Sequence, residues 1–127
     1  MQGELELKQS TYSVNFTNHF RDRKDLSPIE KYVHMDLVSR AGQKQYTWIS
    51  TENLAKELSM SKPTLTKILK NLEKKGGLYI CKRYDKTTKG QKTNRIYVIE
   101  TNYYSGEFEL EHIKSLKLMY PDKVIYE

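Results

Sequence analysis

Positively charged side chains are concentrated in one third of the sequence, between Ser61 and Arg95. This segment holds eleven Lys and Arg residues against two acidic residues, Glu73 and Asp85, so its net charge is +9. The rest of the chain has 11 basic and 14 acidic residues, a net charge of −3, and the whole chain of 127 residues carries +6. A local cluster of Lys and Arg is the electrostatic footprint of a nucleic-acid-binding surface. An ordinary lysine-rich, solvated surface is the alternative, so charge alone does not decide the function.

The polar face of the predicted helix that follows Ser61 carries residue types that read DNA bases. If this helix enters the major groove, its outward positions are Lys62, Thr64, Thr66, Lys67, Lys70 and Asn71. Lys67 can reach O6 and N7 of guanine, while Thr64 and Thr66 can form hydrogen bonds or contact a thymine methyl group. Asn71 lies late in the helix, where we favour a solvated role over adenine readout. The alternative is a polar helix face that contacts only water.

A second group of residues has the charge or the position to contact the DNA backbone, which gives affinity without sequence information. A polar loop between two predicted strands has the reach to lie along the backbone or enter a minor groove. The first residues of helices offer free backbone N–H groups to a phosphate. The predicted backbone contacts are Lys62, Lys70 and Lys74 from the helix, Lys86, Lys89, Lys92 and Arg95 from the loop, and Ser50, Thr51 and Ser61 from helix starts.

Residues for metal or covalent chemistry are sparse. His19, His34 and His112 are far apart in sequence and have no partners at ligand spacing, which favours surface or core roles. Cys81 is the only cysteine, cannot form an internal disulfide, and is predicted to be buried in a strand. The sequence shows neither a glycine-rich phosphate loop nor a nucleophile and base at recognisable spacing. We therefore expect no enzymatic activity, no cofactor and no metal site.

The elements that must position these residues follow from capping signals and apolar spacing. Ser27, Pro28 and Glu30 predict a helix start with a capping box, and Leu65, Ile68, Leu69 and Leu72 form one buried helical stripe. Residues 12–16 alternate weakly and suggest a short strand or an extended arm. The other predicted elements are helices over 28–41, from 50 or 51 to 58, from 62 to Gly76–Gly77 and over 107–119, and strands over 45–49, 78–84 and 95–100.

This order of elements predicts an α+β fold, a winged helix-turn-helix with a three-helix core, a β-hairpin wing and a short C-terminal helix. Ala55 is the small residue required where the second and third helices cross. Ser59 stands in the turn between them, where glycine is common because the turn residue adopts a positive φ. Trp48 and most tyrosines are expected in the core, with Tyr103 and Tyr104 as interface residues. The predicted divisions are an arm over 1–25, the winged domain over 26–101 and a helical extension over 102–127.

Residues 26–101 resemble the winged helix-turn-helix domains of bacterial regulators and of replication and transfer proteins from Gram-positive phages and plasmids. The stretches 47–55 and 69–76 carry most of the resemblance, and residues 26–31, Leu-Ser-Pro-Ile-Glu-Lys, resemble the opening helix of the plasmid and phage group. The central segment also resembles regulators of the multiple-antibiotic-resistance type. Those regulators dimerise through long flanking helices, and only about 13 residues of candidate helix follow the wing here. The resemblance implies DNA binding in mobile-element replication, conjugative transfer or transcriptional regulation.

The composition is typical of a soluble protein, which agrees with nucleic-acid binding. The mean hydropathy is −0.79, and no stretch approaches the ~20 apolar residues that a membrane span needs. Residues 1–6 lack the features of a signal peptide, so a cytoplasmic protein is expected. We predict double-stranded DNA as the partner, with Ser61–Arg95 facing it and both termini facing away. A homodimer and a protein of the replication or transfer machinery are further candidate partners, and a winged helix that binds proteins within a larger assembly is the alternative function. A winged helix that binds single strands or RNA is a third possibility, but the predicted helix after Ser61 has no aromatic residue on its exposed face for stacking bases.

Overall fold

The computed structural model describes residues 18–127, and the predicted arm or strand over 12–16 lies outside them. The elements are α1 (Asn18–Arg21), α2 (Pro28–Ala41), a 3₁₀ turn (Gly42–Lys44), β1 (Tyr46–Thr47), α3 (Thr51–Glu57), α4 (Lys62–Lys74), β2 (Leu78–Tyr84), β3 (Gln91–Val98), α5 (Leu110–Met119) and β4 (Val124–Tyr126). This architecture is the predicted winged helix-turn-helix of α+β class.

Helix α2 begins and ends where its sequence signals place it. The Ser27 hydroxyl accepts a hydrogen bond from the backbone N–H of Glu30 at 3.2 Å, and the Glu30 carboxylate accepts one from the N–H of Ser27 at 2.9 Å. This reciprocal pair is the predicted capping box. At the other end Gly42 has a φ of 58°, which ends the helix, while Val33 and Leu37 are fully buried against the other helices and the sheet.

The helix-turn-helix consists of α3, a four-residue connection (58–61) and α4. Ser50 and Ser61 are the N-caps of the two helices, and each hydroxyl accepts from the backbone N–H three residues later. Ala55 is buried at the crossing, and the Met60 N–H donates to its carbonyl at 3.0 Å. Ser59 has a φ of 56°, as its place in the turn predicted. The turn geometry therefore forms around a serine in a left-handed conformation.

The four-stranded sheet has the order β1-β3-β2-β4, with β2 and β3 antiparallel as the predicted hairpin. Strand β3 begins at Gln91, four residues before the prediction, and ends at Val98. The first residues of β3 are polar and pair through their backbones, with both faces of the strand near solvent. Because they lack the alternation of apolar and polar residues that identifies a strand, the sequence did not predict this part of β3. Strand β1 covers only Tyr46–Thr47, because Gln45 before it is left-handed (φ 67°) and the chain leaves the sheet to enter α3.

The C-terminal segment is more than the predicted helical extension. Helix α5 begins at Leu110 rather than at residue 107, and after Pro121 the chain forms β4, which pairs in parallel with β2 from Lys82↔Val124 to Tyr84↔Tyr126. The sheet separates two apolar clusters. One lies between the sheet and helices α2, α3 and α4, and the other, which includes Tyr79, lies between the opposite face and α5. The extension therefore belongs to the body of the domain.

Candidate nucleic-acid interface

Helix α4 presents a row of exposed lysines opposite its buried apolar stripe. Lys62, Lys67, Lys70 and Lys74 are all exposed. Lys62 lies 3.8 Å from a Glu52 carboxylate oxygen, whereas the other three form no ion pair within residues 18–127. Four ammonium groups on one helix repel one another, and an anion laid along this face relieves that repulsion.

The N-terminal turn of α4 carries the predicted base-reading hydroxyls. Thr64 is exposed, and its hydroxyl oxygen accepts a hydrogen bond from the Ser61 hydroxyl at 2.8 Å. Thr66 is half-buried, and Lys67 is exposed one residue further on. The hydroxyl proton of Thr64 stays available to an outside acceptor, since Ser61 supplies the proton in that bond. The structure therefore brings the three residues together at the exposed start of the helix.

Asn71 was expected to be solvated or to read adenine, but its side chain is bound within the protein. Its side-chain amide donates to Glu30 at 3.2 Å, and the Lys75 ammonium donates to the other oxygen of the same carboxylate at 3.0 Å. Glu30 is only 5% exposed. Burial would raise the pKa of this carboxyl, but hydrogen bonds from Ser27, Lys75 and Asn71 outweigh it and hold the pKa below its usual value. The cluster ties the start of α2 to the end of α4, so it fixes the direction in which α4 points.

The wing loop is shorter than predicted and carries two of the four predicted cations at its tip. Asp85 organises it, because its carboxylate accepts from the backbone N–H groups of Thr87 and Thr88 at 2.8 and 2.7 Å. Lys86 and Lys89 are exposed there, and the Lys89 ammonium lies 5.2 Å from the centre of the Tyr126 ring.

Arg95 and Lys92 lie further from solvent than the sequence predicted. Arg95 is only 9% exposed, donates to Glu127 at 2.6 Å and stacks 4.5 Å from the centre of the Tyr46 ring. Lys92 is half-buried and donates to the backbone carbonyl of Glu127 at 3.1 Å. Arg95 is therefore a structural residue of the sheet. The same contacts correct the prediction that the C-terminal segment faces away from the basic surface, since Glu127 lies against the wing.

A cleft of about 1000 Å³ lies between α4 and the strands of the wing, and lysines of both elements line it. Its floor includes Leu69, Ile80 and Ile96, and Ser50 and Thr51 line the end nearest α3. The Ser50 hydroxyl already accepts a hydrogen bond from the backbone N–H of Asn53 as the cap of α3, and Thr51 is half-buried. The basic residues along the cleft are Lys62, Lys70, Lys82, Lys92 and Lys123.

Two lysines of this cleft were missed by sequence reasoning. Lys82 lies in the basic segment, on a strand whose alternation places it opposite Cys81 and Arg83, and that alternation could have identified it. Lys123 follows Pro121 in a stretch whose sequence has no helix or strand pattern. It forms an ion pair with Glu73 of α4. Its position depends on the parallel pairing of β4, which local sequence does not predict.

The remaining chemistry-bearing side chains have structural surroundings. Burial lowers the pKa of His34 to about 4 and raises the pKa of the Cys81 thiol to about 11, so the imidazole and the thiol are both neutral at pH 7. Among the described residues, no group of His, Cys, Asp and Glu has the arrangement of a metal site. No helix in that part of the chain is long and apolar enough to cross a bilayer.

Comparison with known proteins agrees with this fold. Residues 24–78 match the family model of a helix-turn-helix domain, which spans α2, α3 and α4. One similar solved structure, "Structure of Rep-DNA complex", is 18% identical, covers 90% of this chain and 92% of its own, and has a TM-score of 0.51. A second, "N-Terminal domain of DNA binding protein", is 20% identical with coverages of 94% and 93% and a TM-score of 0.55. No curated protein sequence matches the chain. The protein thus contains a helix-turn-helix domain within a winged-helix fold.

Proposed function

We propose that the protein binds double-stranded DNA sequence-specifically, with α4 in the major groove and the wing on the backbone or in the adjacent minor groove. One observation carries this proposal: lysines from α4 and from the wing line the same cleft, and most of them have no acidic partner within residues 18–127. The helix-turn-helix match supports it, as do the two structural neighbours, one a Rep–DNA complex and the other a domain of a DNA-binding protein. Such a protein would act in mobile-element replication, conjugative transfer or transcriptional regulation, and would gain affinity by binding paired half-sites as a homodimer.

The residues divide into base readers and phosphate contacts. Thr64, Thr66 and Lys67 lie at the start of α4, the part of a recognition helix that reaches base edges most easily. Lys70 and Lys74 follow along the helix towards its end, where the helix diverges from the groove floor and meets phosphates. The other phosphate contacts in this proposal are Lys62, Lys82, Lys86, Lys89 and Lys92.

Salt dependence and single substitutions test this division. A duplex selected from a randomised pool is titrated by fluorescence anisotropy at several salt concentrations. The slope of log K against log salt is negative, and each lost phosphate contact should reduce its magnitude by about 0.9. Lys89→Ala should therefore weaken selected and scrambled duplexes equally and flatten the slope. Lys67→Ala should weaken the selected duplex by roughly tenfold or more and leave the scrambled one nearly unchanged.

Lys117→Ala is the matched control, because Lys117 is an exposed lysine on α5 and outside the cleft. It should change neither affinity nor slope. Absence of duplex binding at low salt, or an affinity that ignores salt, contradicts the proposal. If Lys67→Ala and Lys89→Ala both behave like the control, the interface lies elsewhere.

A protein-interaction module is the second candidate. Tyr103 and Tyr104 are 72% and 81% exposed and form an edge-on ring pair at 5.3 Å, which is an unusual amount of aromatic surface to leave in water. In that case a partner from the replication or transfer machinery would remain bound after nuclease treatment, and the lysine substitutions would have no effect on its binding.

A further inference from the structure

Trp48 is the only tryptophan in the sequence, and it lies at the surface rather than in the predicted core. Its side chain is 45% exposed on the segment that connects β1 to α3. A tryptophan used only for packing is normally covered far more completely, because its large ring contributes most when it is removed from water. The exposed indole therefore calls for a partner outside the described fold.

The surroundings of Trp48 are aromatic on one side and cationic on the others. The Tyr46 ring lies 5.5 Å away and is tilted by 32°, close to a stacked arrangement. The Lys44 ammonium and the Arg83 guanidinium each lie 5.3 Å from the indole centre. A hollow of about 460 Å³ adjoins the ring and is lined by residues 40–44 and 46–48. An anion with a flat ring matches this environment better than an apolar side chain does.

The cations around Trp48 differ in how strongly the protein holds them. Arg83 shares the Glu127 carboxylate with Arg95, at 2.9 and 2.6 Å. Arg40 is paired with Asp36 and Glu57. Lys44 is exposed, its ammonium lies over the indole, and within residues 18–127 it forms neither an ion pair nor a side-chain hydrogen bond. Its long side chain can leave the ring when a stacked base replaces it and can then bind the phosphate of that nucleotide.

This site lies on the face of the sheet opposite the cleft. Lys82 lines the cleft, whereas the next residue, Arg83, lies beside Trp48, as the alternation of side chains along a strand requires. The two sites meet at Ile49 and Ser50, which directly follow Trp48 and line the cleft. The cleft and the hollow beside Trp48 share no lining residue, so occupation of one does not use the side chains of the other.

We propose that Trp48 and Tyr46 stack an unpaired base of a single-stranded nucleic acid, while Lys44 and Arg83 contact the neighbouring phosphates. Aromatic rings flanked by cations bind single strands with little sequence preference, because every base has a stacking face. The inference rests on the proposed function in one respect, that the partner is a nucleic acid. It adds a second ligand, the unpaired strand next to a duplex.

Trp48 reports on its own site, because no other tryptophan contributes to the emission of this protein. Titration of the full chain with a twelve-nucleotide oligothymidylate should quench the emission in a saturable way, since a stacked base quenches indole fluorescence. With labelled oligothymidylate, Trp48→Ala should weaken binding at least tenfold, Trp48→Phe should weaken it less, and Lys44→Ala should weaken it and flatten its salt dependence. Duplex affinity should stay within about twofold in all three variants.

Tyr104→Ala is the matched control, because it removes an exposed aromatic ring that lies outside both sites. It should bind oligothymidylate as the unsubstituted chain does, and thermal unfolding shows that each variant is folded. Unchanged emission at saturating oligothymidylate, or full binding by Trp48→Ala, overturns the inference. The inference is also overturned if Trp48→Ala no longer captures a protein partner that the unsubstituted chain captures, while it still binds oligothymidylate. Duplex binding without single-strand binding refutes this inference alone, whereas single-strand binding without duplex binding refutes the proposed function.

Discussion

His34 makes the stability of the domain depend on pH below about 6.5. Burial also lowers the pKa of His112, so His112 acts in the same direction, and a substitution of His34 is needed to isolate its own contribution. Its side chain is 2% exposed, between the rings of Phe20 and Phe108, and Nε2 lies 2.9 Å from the carbonyl of Ile99. Because that carbonyl can only accept, Nε2 carries the proton of the neutral ring. The pKa of His34 falls from 6.5 to about 4: burial is the main cause, the hydrogen bonds to Ile99 and Gly77 oppose the change, and nearby Arg23 contributes to it.

The magnitude follows from proton linkage. Above pH 6.5 the imidazole is neutral in both states, and the folded protein has its full stability. As the pH falls below 6.5 the unfolded chain binds a proton that the folded chain does not bind, so stability is lost at about 1.4 kcal/mol per pH unit. The loss is about 2 kcal/mol at pH 5 and about 3 kcal/mol by pH 4, where the folded form is also protonated. Carboxylates such as Glu30, whose pKa is lowered from 4.5 by folding, contribute stability that begins to be lost only near pH 4.5, at the acid end of this window.

Urea unfolding between pH 7.5 and 4.5 measures this dependence. His34→Gln keeps an amide that can donate to the Ile99 carbonyl but cannot titrate, so the variant should be less stable at pH 7 and should show a flatter pH dependence. NMR titration of the imidazole protons gives the pKa of His34 directly. Parallel stability curves for the two proteins between pH 7 and 5, or a His34 pKa near 6.5, would refute the reasoning.

Two further predictions concern backbone positions. Ser59→Gly should stabilise the domain by about 1 kcal/mol in thermal or urea unfolding, because a φ of 56° strains serine but not glycine; an unchanged or lower stability would contradict this explanation of the turn. Gly77→Ala should destabilise it by about 1–3 kcal/mol, since the new methyl group would lie 2.8 Å from the Phe108 ring, whereas Gly90→Ala in the wing loop meets nothing closer than 3.4 Å and should change stability little. Equal effects of the two alanine substitutions would show that the fit around Phe108 is looser than the structure indicates.

The local signals in the sequence predicted the helix-turn-helix well, because each of its parts is determined over a few residues. Ser27, Ser50 and Ser61 were predicted as caps or cap candidates and form caps. The apolar stripe of α4 was also predicted and is buried. Capping and helical spacing depend on neighbours three or four residues apart, so one sequence is enough to recognise them.

The predictions that failed depend on contacts between distant residues. Arg95 was counted with the wing because of its charge, but Glu127 and Tyr46 bring it inside, and neither is near it in sequence. Trp48 was expected in the core because of its residue type, although the chain turns away from the sheet directly after β1. Strand β4 has only three residues and forms by pairing with β2, about forty residues earlier in the chain.

That pairing of β2 with β4 also sets the order in which the molecule can assemble. The contacts among α2, α3 and α4 lie within residues 28–74, whereas the outer edge of β2 is completed only when residues 124–126 return to it across α5. Closing a loop of that length has a larger entropic cost than forming adjacent helices, and contacts between distant residues slow folding. The helical half can therefore be in place while the edge of the wing strand is still open, and the cleft between them takes its final shape last.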